Sequence, residues 1–279
     1  MKLVSTKKKY VINKEFFKKN ARWFILGALI CVFIFSATML ITTLIERSQA
    51  RQEYEDIRQI AISGQNTTTP DVNTNTNTPE PNDDDDNNDD NNEQDQFIEA
   101  GITINHEALY ELNPDYIGWI RIDGTDVDYP IVRCRNNERY IYTTFLLERN
   151  MAGAIFLDYL IRDRFDRFSV LYGHNREDGT MFTSLHEYRD EKFREENPDI
   201  MIFTPDDEIL LYRVIAVRVT NVKDRVFTLR SGSQADINAY IERYDVADDT
   251  PILVLATCTD SWDSNERLVV IAARSEGIG

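Results

Sequence analysis

Cysteine and histidine are scarce in this chain: three of each in 279 residues. None falls at metal-ligand spacing, so neither a zinc framework nor any other metal centre is expected, and no cofactor is implied. The eleven glycines form no phosphate-cradling loop, which removes the common nucleotide-binding folds. Basic residues are outnumbered, 31 against 48 acids, and form no stripe. Nucleic acid, whose affinity comes from neutralised phosphates, is not an expected partner. No internal repeat is present.

What is there falls into five regions. Residues 1–22 hold eight basic residues against one acid, Glu15. Residues 23–45, "WFILGALICVFIFSATMLITTLI", carry no charge. At ~1.5 Å per residue a helix of that length covers the ~30 Å hydrocarbon layer. It is too long for the ~7–15 residue apolar core of a cleaved signal. The basic flank puts the N-terminus in the cytoplasm and everything after Ile45 outside. The expectation is a single-pass signal-anchor in the cell membrane. Residues 46–63, "ERSQARQEYEDIRQIAIS", are good helix formers and predict a helical stalk. Residues 64–96 are an Asn/Asp/Thr tract; ten acids and no base lie between 71 and 95. Such a tract has too little to bury to offset its ordering entropy, so a disordered, extended spacer is predicted. It lacks the glycine and spaced glutamate of an EF-hand calcium loop.

Residues 97–279 form the globular domain. "NHEALYEL" predicts a short helix from about Asn105, stopped near Pro114. Eight apolar runs then follow: "YIGWIRI", "VDYPIV", "GAIFLD", "FSVLYG", "IMIFTP", "EILLYRVIAVRVT", "ILVLAT" and "LVVIAA". They are short, rich in Val, Ile, Leu, Tyr and Phe, and separated by turn residues. A mainly β fold, a barrel or sandwich with a few short helices, is predicted. Helical insertions are expected over Thr180 to Glu196 and over Ser233 to Tyr244, the second capped by Ser233.

The chemistry concentrates near the C-terminus, in "ILVLATCTDSWDSNERLVVIAAR". If its two apolar runs pair as an antiparallel hairpin, Cys258 and Arg267 become neighbours ~4.5–5.5 Å apart at one rim. A thiol supplies a nucleophile; a permanently charged guanidinium can hold an acyl oxygen and stabilise an oxyanion. Such a thiol also needs a proton-transfer partner. Of the three histidines, His174 in "LYGHN" follows a strand-like run broken by Gly173, so it too sits at a strand end. His186 falls inside a helical segment, where a surface position is the default, and His106 falls in the first turn of a short helix. Other readings fit the same residues. Cys258 alone reads as a small buried apolar residue, or as the disulfide partner of Cys134, the one other thiol of the outer domain. Arg267 alone reads as a solvated loop end, and Cys31 packs within the apolar span.

The matching segments "NPDYIGWIRIDGTDVDYPIV", "AGAIFLDY", "VLYGHNREDGTMFTSLHEY" and "LATCTDSWDSNERLVVIAAR" together resemble a class B sortase, a cysteine transpeptidase of Gram-positive cell envelopes. The resemblance covers about residues 105–275. It implies an eight-stranded sortase-type β-barrel and a catalytic set of His174, Cys258 and Arg267. By similarity, Cys258 attacks a carbonyl in the C-terminal sorting signal of a secreted protein. The thioacyl intermediate then passes to an amine of peptidoglycan or its precursor. "RNNERYI" resembles a groove-lining segment and implies substrate contacts by Asn137 and Ile141; Thr257 and Tyr172 adjoin the Cys and the His. Cys134 and Ala256 stand where the family commonly has Gly and Ser, and "VKDRVF" departs from the pattern. A pilin-polymerising enzyme with a lysine acceptor, or a non-catalytic membrane-tethered binding module, are the alternatives. A papain-like protease is disfavoured because its signature is absent and the Cys follows the His.

Overall fold

The computed structural model describes residues 14–62, 103–161, 164–259 and 264–275. The acidic tract 64–96 and the tail before residue 14 lie outside the described residues. The chain divides into two units, Met1–Ser48 and Gln49–Gly279.

In the first unit, helix α1 (Lys14–Ile62) carries the apolar run. Its large apolar side chains are exposed, Trp23 at 73% and Phe33 at 72%. Its threonine hydroxyls are satisfied within the helix: Thr38 donates to the Ile34 carbonyl at 2.8 Å, and Thr42 and Thr43 to that of Met39 at 2.9 Å. An all-round apolar surface over an internally bonded backbone suits hydrocarbon rather than water. This helix is long and apolar enough to cross a membrane and is a candidate anchor.

The second unit begins with the rest of α1, and here the structure departs from the expected stalk. Ala50, Tyr54, Ile57 and Ala61 recur every three or four residues and are buried in the core of the unit. The Tyr54 hydroxyl donates to the Gly153 carbonyl at 2.6 Å and accepts from Phe145 N at 3.3 Å; Glu53 accepts from Leu146 N at 3.0 Å. The helix-forming composition was legible, but its apolar stripe is only four residues and reads as noise among charges. Ile57→Ala is expected to cost about 2–5 kcal/mol through the cavity it leaves. This would appear as a lower urea midpoint at unchanged m-value; a loss below about 0.5 kcal/mol would mean that the segment rests on the surface only.

The unit is built on eight strands: β1 (Tyr116–Arg121), β2 (Asp128–Val132), β3 (Ile155–Leu157), β4 (Phe168–Tyr172), β5 (Asp199–Phe203), β6 (Ile209–Asn221), β7 (Ile252–Cys258) and β8 (Glu266–Arg274). They are the eight apolar runs of the sequence. They close in the order β1-β2-β3-β4-β7-β8-β6-β5, with β2–β3 and β4–β7 parallel and the other pairs antiparallel. Closure leaves no free edge. Strands β7 and β8 are buried on both faces over Ile252–Thr257 and Leu268–Ala273. That is why their sequences are continuous apolar runs rather than alternations.

Three further α-helices stand among the described residues of the unit. Helix α2 (His106–Leu112) is capped by the Asn105 side chain. The segment expected as one helix from Thr180 to Glu196 is two: a 3-10 stretch Thr183–Arg189 and α3 (Glu191–Glu196). Asp190 interrupts it, taking an extended conformation so that its carboxylate accepts from Lys192 N; an acid at that position caps better than it propagates. Helix α4 (Gln234–Ile241) starts at Ser233 in a capping box with Asp236 and buries Ile237, Tyr240 and Ile241. A 3-10 turn, Glu242–Tyr244, then ends at Asp245 in the left-handed region.

Candidate active site

Two strand pairings bring the predicted side chains together. In the antiparallel β7–β8 ladder, Cys258 and Arg267 are direct register partners. In the parallel β4–β7 ladder, Tyr172 lies beside Ala256. Parallel strands end at the same rim, so His174, two residues beyond Tyr172, emerges level with Cys258, two beyond Ala256. The Gly173 amide extends this pairing by donating to the Ala256 carbonyl at 3.2 Å. Gly173 must be a glycine for lack of room: a Cβ there would sit 2.6–2.7 Å from Ile155 and Phe182 side-chain atoms.

The Cys258 side chain is exposed at the rim and its thiol is free. Cys134 is free as well, its thiol directed to the Asn136 carbonyl at 3.0 Å. The disulfide reading is therefore corrected: no bridge joins the two. Cys134 lies in the loop after β2, where a nearby carbonyl occupies its sulfur. Arg267 is held by Nη1, which donates to the carbonyls of Ser264 and Glu266, both at 2.8 Å. Residues 260–263 of the intervening loop lie outside the described residues.

The His174 Nε2 lies 2.7 Å from the Ile141 carbonyl. A carbonyl only accepts, so Nε2 carries the hydrogen and Nδ1 is the atom left to exchange a proton. Burial pushes the His174 pKa below its ordinary value; the Ile141 bond works against this, and the positive charges of Arg176 and Arg267 reinforce it. The Tyr142 ring stacks on the imidazole, 6.0 Å away at 28°. Ile141 is itself fixed: neighbouring Tyr140 is buried and donates to Asp115 at 2.8 Å, while Asn113 donates to its hydroxyl at 3.0 Å. Gly153, at φ 59°, packs so close that a Cβ would lie 2.5 Å from the Tyr140 carbonyl oxygen and 2.6 Å from that of Ile141.

All seven residues singled out from the sequence, His174, Cys258, Arg267, Asn137, Ile141, Tyr172 and Thr257, line one groove of about 430 Å³. Thr257 is buried, and its hydroxyl has no hydrogen-bond partner among the described residues. Sequence reasoning missed Tyr142, Phe227 and Arg230, which also line the groove. Phe227 lies in the "VKDRVF" segment, which the resemblance puts at the pocket but whose departure from the family pattern left no single residue marked. His186, expected at the surface, is half-buried, and its Nε2 meets the Cys258 carbonyl at 3.0 Å. Carbonyls two residues apart on a strand point the same way. The Ala256 carbonyl finds Gly173, and with β4 already ended that of Cys258 finds His186. His106 lies elsewhere, its Nδ1 2.8 Å from the Tyr116 hydroxyl. A separate cavity of about 490 Å³, lined by Arg51, Tyr54, Asp128 and Asp178 among others, holds neither cysteine nor histidine.

Known proteins resemble this chain in sequence and in fold. Residues 120–275 match the family model of the sortase domain. Sortase B of Listeria monocytogenes is 29% identical over 178 residues, covering 60% of this chain and 72% of that protein. The solved structure of Clostridium perfringens sortase B is 27% identical with a TM-score of 0.56, covering 61% of this chain and 99% of that one. Sortase B of Staphylococcus aureus, also solved, is 26% identical with a TM-score of 0.55, covering 61% and 86%. Family model, relatives and fold agree, and the chain belongs to the sortase family, class B: it is a cysteine transpeptidase.

Proposed function

We propose that this enzyme cleaves the C-terminal sorting signal of secreted proteins and transfers them to an amine of peptidoglycan or its precursor. One observation carries the assignment of residues. Cys258 and Arg267 face each other across a strand pair, and His174 lies level with them in the same groove. The Cys258 sulfur attacks the scissile carbonyl and its proton passes to His174 Nδ1. Arg267 stabilises the oxyanion that forms. The C–N bond breaks, the imidazolium gives its proton to the departing amine, and a thioester remains. The acceptor amine then attacks that thioester and loses its proton to His174, and the sulfur departs to be reprotonated. Thr257, with an unpartnered buried hydroxyl, supplies a substrate hydrogen bond, and Asn137, Ile141 and Tyr172 shape the groove.

The basic residues that precede the apolar run favour an N-terminus in the cytoplasm and a barrel outside. The test is direct. The protein is incubated with a library of sorting-signal peptides and two acceptors, a peptidoglycan-stem amine and a pilin-type lysine peptide, and products are read by mass spectrometry. Transfer to the stem amine is expected. Transfer to lysine alone would replace wall anchoring with pilin polymerisation, and the absence of any thioester would leave a binding module.

The electrostatics give a second check. Arg267→Gln removes a positive charge that opposes protonation of His174. The His174 midpoint, followed by NMR of labelled imidazole, should therefore rise; an unchanged or lower midpoint would place Arg267 too far away to act on it. Because the folded value lies below the unfolded one, the unfolded chain binds more protons just below pH ~6.5. Stability from this site is thus present above that pH and lost as pH falls through the His174 midpoint.

A further inference from the structure

Asp158 follows directly on β3 and is fully buried, at 0% exposure. Its Oδ2 accepts from Asn137 Nδ2 at 2.9 Å and from the Tyr172 hydroxyl at 3.0 Å, and lies 3.2 Å from Arg230 Nε. Its Oδ1 accepts from Leu160 N at 3.0 Å. Three of these partners, Asn137, Tyr172 and Arg230, line the groove. They come from three separate segments: the loop after β2, the end of β4, and the 3-10 turn Leu229–Ser231. Asn137 is further fixed by accepting from Tyr159 N at 2.9 Å, Arg230 by donating to the Phe227 carbonyl, and Phe227 by stacking on Tyr172 at 6.4 Å and 19°. A carboxylate this deep is tolerated because donors and an opposite charge meet it. The converse also holds: its charge offsets that of the guanidinium that reaches the groove.

We infer that Asp158 is a positioning residue that ties Asn137, Tyr172 and Arg230 into one groove wall and, by neutralising Arg230, sets the enzyme's selection among peptide substrates by charge. The inference rests on the reading of the groove as the peptide site. Asp158→Asn keeps the size of the side chain and part of its hydrogen bonding but deletes the charge. Arg230 is then uncompensated at reduced dielectric, where a unit charge acts strongly on a nearby peptide side chain.

The experiment uses the full chain in detergent micelles. Pairs of sorting peptides differ by Glu for Gln at one position at a time upstream of the scissile bond, and compete for thioester formation. For Asp158→Asn the Glu-to-Gln ratio of kcat/KM should rise by about tenfold at one position. The rise should vanish in Asp158→Asn combined with Arg230→Met. Partial unfolding lowers both peptides alike and leaves the ratio unmoved, so the ratio separates selection from stability. Should Asp158→Asn fail to fold, Arg230→Met alone, on the more exposed member of the pair, must move the ratio the opposite way. A ratio within twofold of wild type in a folded variant overturns the inference while leaving the peptide site standing. Failure of the wild-type chain to acylate with any peptide removes both.

Discussion

Cys258→Ala is expected to abolish the thioester and to lower acyl transfer by roughly 10⁴–10⁶-fold, the scale seen when a covalent nucleophile is deleted. The sulfur stands at the exposed end of β7, free of any bridge. Its loss should leave folding intact, because the side chain packs against little. The measurement pairs intact-mass detection of the acyl-enzyme with steady-state transfer, alongside thermal unfolding to confirm an unchanged fold. Peptide binding should survive, since the groove walls do not depend on the thiol. Retained transfer in the alanine variant would end the covalent mechanism. Cys134→Ala serves as the control: its thiol is directed to the Asn136 carbonyl and does not line the groove, and transfer should be within about twofold of wild type.

His174→Ala and Arg267→Ala are each expected to reduce kcat/KM by about 10²–10⁴-fold, the contribution typical of a proton carrier or an oxyanion donor. The two losses should differ in kind. Without His174, the departing amine lacks its proton donor, so amine release before the thioester slows. Without Arg267, the charge of the tetrahedral oxyanion goes unmet both in forming and in resolving the thioester. Arg267→Lys should recover little, because a single ammonium cannot reproduce a planar guanidinium fixed by the carbonyls of Ser264 and Glu266. Pre-steady-state mass spectrometry resolves the steps. A loss of only a few-fold for either alanine variant would demote that residue to a structural part of the rim.

The two variants probe parts of the site that were unequally legible. Cys258 and Arg267 are joined by a hairpin, and a hairpin is local: two apolar runs separated by a polar loop predict which residues meet. His174 was harder. Its proximity to a strand end was visible, but its alignment with Cys258 arises from the parallel β4–β7 pairing between segments about eighty residues apart. The acceptor that pins its Nε2–H, the Ile141 carbonyl, comes from a third segment. Asp158 drew no attention, though a lone acid directly after a buried apolar run, as in "AGAIFLDY", was the available signal. His186 read as surface but is half-buried; the end of β4 leaves the Cys258 carbonyl for it to meet.

By itself the sequence determined the membrane-length apolar helix, the number and positions of the eight strands, the capped helix α4 and the Cys258–Arg267 hairpin. Each depends on periodicity, turn residues or caps within a few neighbours along the chain. Tertiary structure alone decided the order in which the strands close, the packing of Gln49–Ile62 into the second unit, the separation of Cys134 from Cys258 and the convergence of Asn137, Tyr172 and Arg230 on Asp158. Those are matters of non-local pairing and burial. Local composition does not encode them, because many partners are chemically acceptable and only closure of the whole barrel selects among them.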